Sequence, residues 1–127
     1  MNAEITAIYT ALSGLLILAL AYRVVVFRRR LKVGVGDKGD KAFSVAIRAH
    51  ANMIEYAPIS LMLIFLAEIN GAAGLFVHLC GGSFVLLRLA HAYGFTQAVG
   101  GYSPFRFVGI LGNWILIALL CFYHLFF

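Results

Sequence analysis

Residues 5–27, ITAIYTALSGLLILALAYRVVVF, followed directly by residues 28–41, RRRLKVGVGDKGDK, decide the fold. The first segment is apolar except for Arg23 and a few small polar residues. At a 1.5 Å rise per residue it is long enough to cross a hydrocarbon core of ~30 Å. The second segment concentrates positive charge and carries the helix breakers Gly34, Gly36 and Gly39. An apolar run followed by a basic block is the reverse of a cleavable signal peptide, in which positive charge comes first and a small-residue cleavage site follows. The segment is therefore expected to remain in the mature chain as a membrane span.

Three further stretches of the same kind follow, at about residues 42–69, 72–95 and 105–126. Each must be helical, because lipid supplies no partner for backbone N–H and C=O groups. The expected fold is an all-α integral membrane protein: one domain over residues 1–127, a bundle of four transmembrane helices. Composition agrees, since the chain is 63% hydrophobic and 12% charged, with a mean hydropathy of +0.96. A water-soluble domain holds about 45–50% apolar and about 25% charged residues. The connections are short. Asn70 and Gly71 make the second, and residues 96–104, with Gly100, Gly101 and Pro104, make the third. Pro104 is a good first residue for the last helix.

The net charge is +5, which in other chains signals nucleic-acid binding. Here six of the ten cations (Arg28, Arg29, Arg30, Lys32, Lys38 and Lys41) sit in the first loop. The opposite side has none, only Glu4 and Glu68. This asymmetry is a topology signal and gives no reason to expect a nucleic-acid partner. By the positive-inside rule the first and third loops are cytoplasmic and both termini lie on the other side. Cys80 and Cys121 lie in apolar runs without metal-ligand spacing, so no metal is expected. Glu68 is expected to be solvated at the outer interface, His78 and His124 to be packing residues, and Arg23 to extend to the cytoplasmic surface.

Ionisable groups within spans are costly and mark function by default. The second span carries Arg48, His50, Asn52 and Glu55; the third, Arg88 and His91; the fourth, Arg106 and Asn113. Arg48, Asn52 and Glu55 are spaced i, i+4, i+7 and share one helix face. Arg88 and His91 are i, i+3, and Phe95 continues their face. Arg48 lies roughly 9 Å along its span and Arg88 about 10 Å from the cytoplasmic end of its own. Three spans thus place charge in the same half of the membrane. A structural ion-pair network is the plainer reading, but Arg48, Arg88 and Arg106 face only Glu55. Buried charge wants a partner. The surplus points to an anionic ligand with more than one negative group, suited to the arginine fork. It also argues against a small exporter of cationic compounds.

The run Arg48-Ala-His-Ala-Asn52-Met-Ile-Glu55-Tyr56-Ala-Pro58 resembles the R-x-x-x-N-x-x-E signature of the MAPEG family, the membrane-associated proteins in eicosanoid and glutathione metabolism. Arg88-Leu-Ala-His91-Ala-Tyr93 and Pro104-Phe-Arg106 resemble the family's third-span segment and fourth-span start. The resemblance covers essentially the whole chain. It implies a MAPEG-like homotrimer with glutathione bound between protomers near the cytoplasmic side. By position, Arg48, Asn52, Glu55, Tyr56, Arg88 and His91 would bind glutathione. Arg28, or a neighbour in the 28–30 run, would reach it from the adjacent subunit. Arg106 would stabilise the thiolate and is the catalytic candidate.

The implied function is a membrane-bound glutathione S-transferase that conjugates glutathione to lipophilic electrophiles entering from the bilayer. Peroxidase activity toward lipid hydroperoxides is a further expectation. Two departures stand out. Phe95 occupies the place of a family tyrosine, and Gly109 and Ile110 stand where some members have another. The alternative is a non-catalytic glutathione- or lipid-binding protein of the same fold. Compact loops and the lack of targeting extensions suggest a bacterial inner membrane.

Overall fold

A computed structural model describes residues 2–127. It contains α1 (Glu4–Leu31), α2 (Lys41–Ile69), α3 (Gly74–Gln97) and α4 (Pro104–Phe126). All four are long and apolar enough to cross a membrane. The expected four-helix, all-α architecture is present.

The boundaries have local causes. α1 runs a turn beyond the expected apolar span because Arg28, Arg29 and Arg30 suit the negative end of the helix dipole. It stops at Lys32, which takes the left-handed conformation with φ 52° while its N–H bonds the Arg28 carbonyl. α2 starts after Asp40, whose side chain accepts from the Phe43 N–H at 2.8 Å, a helix N-cap. Asp37 folds the same loop by accepting from Gly39 N–H at 2.9 Å. That bond, with one from the Ser44 side chain, holds the Asp37 carboxyl below its ordinary pKa. Pro104 opens α4 within its first turn, where a missing N–H costs nothing.

α2 and α3 pack on each other, α1 lies against both, and α4 lies chiefly along α3 with a further contact to α2. Among the described residues α1 and α4 do not touch. Phe43, Met53, Ile64, Val77, Phe84 and Leu120 fill the interior. Outward faces carry large exposed side chains such as Leu15, Leu18, Leu119 and Phe122, as a lipid-facing surface requires. Lipid tails are as apolar as leucine, so helices associate by close packing and hydrogen bonds instead. The α3 and α4 backbones meet at Gly109, where an added Cβ would lie 2.6 Å from His91 N and 2.7 Å from the Leu87 carbonyl oxygen.

Long-range bonds tie the helices together, and one corrects an expectation. Glu68 is not simply solvated: its carboxylate accepts from the N–H groups of Ile5 at 2.9 Å and Thr6 at 2.7 Å, capping α1. Free N–H groups at a helix start attract an anion, and the chain returns Glu68 to that point. Arg23 reaches the third-loop end of α3, where its Nη1 donates to Thr96 Oγ1 at 2.6 Å. His78 pairs with the Tyr9 hydroxyl at 3.0 Å and His124 with the Leu63 carbonyl at 2.8 Å, in keeping with packing roles.

Candidate functional site

The α2 face that carries Arg48, Asn52 and Tyr56 at four-residue intervals forms one wall of a polar region. Arg48 Nη1 and Glu55 Oε1 lie 3.5 Å apart, with side chains 56% and 52% exposed. This is the one ion pair among the described residues. One turn deeper, Arg88 crosses from α3. It is 2% exposed; its Nη1 donates to Asn52 Oδ1 at 2.5 Å and its Nη2 to the Gly109 carbonyl at 2.8 Å. The guanidinium carbon sits 5.3 Å from the Tyr56 ring centroid. Asn52, Tyr56 and Arg88 therefore form one cluster. It is held by neutral acceptors and an aromatic face, with no carboxylate opposing the Arg88 charge. Gly109 is required here because only a bare backbone lets its carbonyl come within reach of Arg88.

Arg106 starts α4 and turns back over the third loop. Its Nη1 donates to the carbonyls of Gly100 at 2.8 Å and Gly101 at 3.0 Å, and its guanidinium carbon lies 4.2 Å from the Phe95 ring centroid. Phe95 thus carries the arginine as a cation–π platform. Arg106 and Arg48 line the same groove of about 240 Å³, together with Lys41, Ser44, Val45, Phe95, Val99 and Gly100. The groove has three cations and no acid in its lining. Such a surface concentrates anions, and the arginine forks match carboxylate geometry.

Of the expected residues only Arg48 and Arg106 line this groove, and His91 and Arg28 join neither it nor the Arg88 cluster. His91 is 5% exposed, wedged against Gly109 and tilted against Phe95 at 5.6 Å between ring centroids. It supports the wall from behind. Arg28 folds over Phe43, 5.2 Å from the ring centroid, and donates to the Gly36 carbonyl at 3.3 Å. Within one chain it does not join Arg48 or Arg106.

The structure adds residues that spacing does not reveal. Lys41 joins the cationic lining although it reads as part of the first-loop basic block. Trp114 on α4 donates its indole N–H to the Tyr56 hydroxyl at 2.8 Å. That link depends on how α2 and α4 approach and leaves no trace in either helix alone. A larger groove of about 690 Å³, lined by Phe76, Leu119, Phe122, Tyr123, Phe126 and Phe127, lies at the far end of α4, and the Tyr123 hydroxyl is the one polar side-chain group in that lining. Its lining carries no charged group.

The comparisons agree with this architecture. The model of the MAPEG family matches residues 6–126. The chain is 35% identical over 116 residues to the inner membrane protein YecN of Escherichia coli strain K12, covering 91% of this chain and 86% of that protein. The YecN protein of Escherichia coli O6:H1 matches with the same identity and coverage.

Proposed function

The chain belongs to the MAPEG family, and from that premise we propose that it is a membrane-bound glutathione S-transferase acting on lipophilic electrophiles. The observation that carries this reading is the groove lined by Lys41, Arg48 and Arg106 without an acid, beside the half-exposed Arg48 and Glu55 pair. Glutathione with an ionised thiol bears two carboxylates, one thiolate and one ammonium. The cations take the carboxylates and Glu55 receives the ammonium. Asn52, Tyr56 and Arg88 complete the wall against which the peptide lies, and His91 keeps Phe95 and Gly109 in place behind it.

Arg106 is the residue for the sulfur. Only its Nη1 is engaged by the loop carbonyls, so Nε and Nη2 remain for a thiolate. A cation beside the sulfur lowers its pKa and favours the nucleophilic form. The thiol proton leaves to water, the sulfur lone pair forms a bond to the electrophilic carbon, and the leaving group departs with its bonding pair. In reduction of a lipid hydroperoxide the same thiolate would attack the terminal peroxide oxygen, the O–O bond would break with the lipid alkoxide leaving and taking up a proton, and a second glutathione would displace water from the sulfenic acid to give the disulfide.

A charged pair half exposed on the outside of a membrane-spanning bundle needs cover. Neighbouring copies supply it in the homotrimer that this reading includes, and Arg28 of one copy reaches the groove of the next. The bilayer is the bacterial inner membrane, as the name of the Escherichia coli relative suggests, with the first and third loops cytoplasmic. One observation favours the non-catalytic alternative: Phe95 offers Arg106 a ring but no hydroxyl for a thiolate.

Calorimetry of glutathione binding to the detergent-purified protein, with Arg48→Ala and Glu55→Ala beside wild type, tests the reading. Binding that both variants abolish supports it, and a conjugation assay with an aryl halide then separates transferase from binder. No binding at millimolar glutathione would sink it.

A further inference from the structure

Trp114 is the chain's one tryptophan, and it is 54% exposed near the middle of α4. Tryptophans of membrane helices usually sit near the ends, with the indole N–H in the headgroup region. Here the ring lies about 15 Å from the start of α4, and its N–H is committed inward, to the Tyr56 hydroxyl at 2.8 Å.

The bond fixes the role of that hydroxyl. An indole N–H only donates, whereas a phenol both accepts and donates. With Trp114 donating, the Tyr56 oxygen acts as acceptor and its own hydrogen must point elsewhere. Among the described residues that hydrogen has no acceptor. Arg88 lies over the same ring at 5.3 Å and limits its movement from the other side. Tyr56 therefore presents an oriented O–H donor one turn past Asn52, next in sequence to Glu55 and about 100° round the helix from it.

We propose that Trp114 is a positioning residue. It holds the Tyr56 hydroxyl as a dedicated donor to the α-carboxylate at the γ-glutamyl end of glutathione, whose ammonium pairs with Glu55. The inference rests on the glutathione reading above. An α-amino acid group carries cation and anion on one carbon, so it needs an acceptor and a donor side by side. Glu55 and Tyr56 are that pair, and Trp114 sets the polarity of the second member.

The test uses the full chain in detergent and two ligands: glutathione, and its analogue with 4-aminobutyrate in place of the γ-glutamyl residue, which lacks that carboxylate. Trp114→Phe keeps a ring and removes the donor. It is expected to weaken glutathione binding about fivefold, the worth of one hydrogen bond, and to leave the analogue's affinity unchanged. In turnover the variant raises KM more than it lowers kcat. Equal weakening of both ligands, or of neither, overturns the proposal while leaving the glutathione site standing. Wild type that binds no glutathione overturns both. Tyr56→Phe retains the single tryptophan, so its indole emission reports the bond directly. A blue shift on losing the phenol oxygen is expected, and unchanged emission overturns the proposal.

Discussion

Arg88 on α3 donates to Asn52 on α2 at 2.5 Å, so the buried guanidinium is anchored by an amide oxygen where a carboxylate would have cancelled its charge. The arrangement holds the helices together and keeps the site positive. Asn52→Leu removes the acceptor and strands a buried cation, at a cost of about 2–3 kcal/mol. A drop in the detergent unfolding midpoint measures it. Asn52→Asp keeps the acceptor and neutralises the surplus. Its unfolding midpoint is expected to stay near wild type while glutathione affinity falls at least about tenfold, a difference of ~1.4 kcal/mol.

Gly109→Ala is expected to destabilise the bundle by about 1–3 kcal/mol. The new methyl would meet backbone, His91 N at 2.6 Å and the Leu87 carbonyl oxygen at 2.7 Å, which yields only if α3 and α4 separate. Separation also pulls the Gly109 carbonyl from Arg88. Gly112→Ala is the control, because its methyl meets only the end of the Leu87 side chain and a rotamer change relieves it. Unfolding midpoints that do not rank in this order would contradict the packing.

The four helices are legible in the sequence because a bilayer leaves few choices: a long apolar run must be helical, and breakers such as Gly36, Gly71 and Pro104 divide the runs. The stripe of Arg48, Asn52 and Glu55, spaced i, i+4, i+7, is legible for a similar reason: helix geometry alone puts the three on one face whatever α2 packs against. What the sequence hides is which groups meet across helices. Glu68 looks like a solvated carboxylate until the chain brings Ile5 and Thr6 to it. Arg106 and Phe95, eleven residues apart on different helices, become cation and platform only through the turn between them. Arg48 and Arg88, read together as one cationic site, fall in separate settings: Arg48 half exposed beside Glu55, Arg88 sealed behind Asn52.

Arg106→Leu is expected to lower the conjugation rate by about 10²–10³, the usual effect of losing a group that stabilises developing or resident anionic charge. Glutathione affinity falls less, because Lys41 and Arg48 still line the groove. Arg106→Lys keeps the charge but not the fork or the stacking on Phe95, so it recovers only part of the rate. Single-turnover kinetics with an aryl halide separates the chemical step from binding. A rate unaffected by Arg106→Leu would remove this residue from the mechanism.

Glu68→Ala tests the opposite end of the molecule. The carboxylate accepts from two N–H groups in the first turn of α1, which have no partner within their own helix. Its loss is expected to cost about 1–2 kcal/mol, as for a helix cap, and to speed amide hydrogen exchange at Ile5 and Thr6. Glu68→Gln keeps one acceptor oxygen but loses the charge that suits a helix N-terminus, so it falls between wild type and alanine. Glu68 lies twenty residues from Arg48 on α2, roughly 30 Å along the helix. Glutathione affinity is therefore expected to remain at the wild-type value in both variants. A loss of binding there would mean that the α1 start and the cationic groove are coupled through the length of the bundle, and the site would then have to be understood as a property of all four helices.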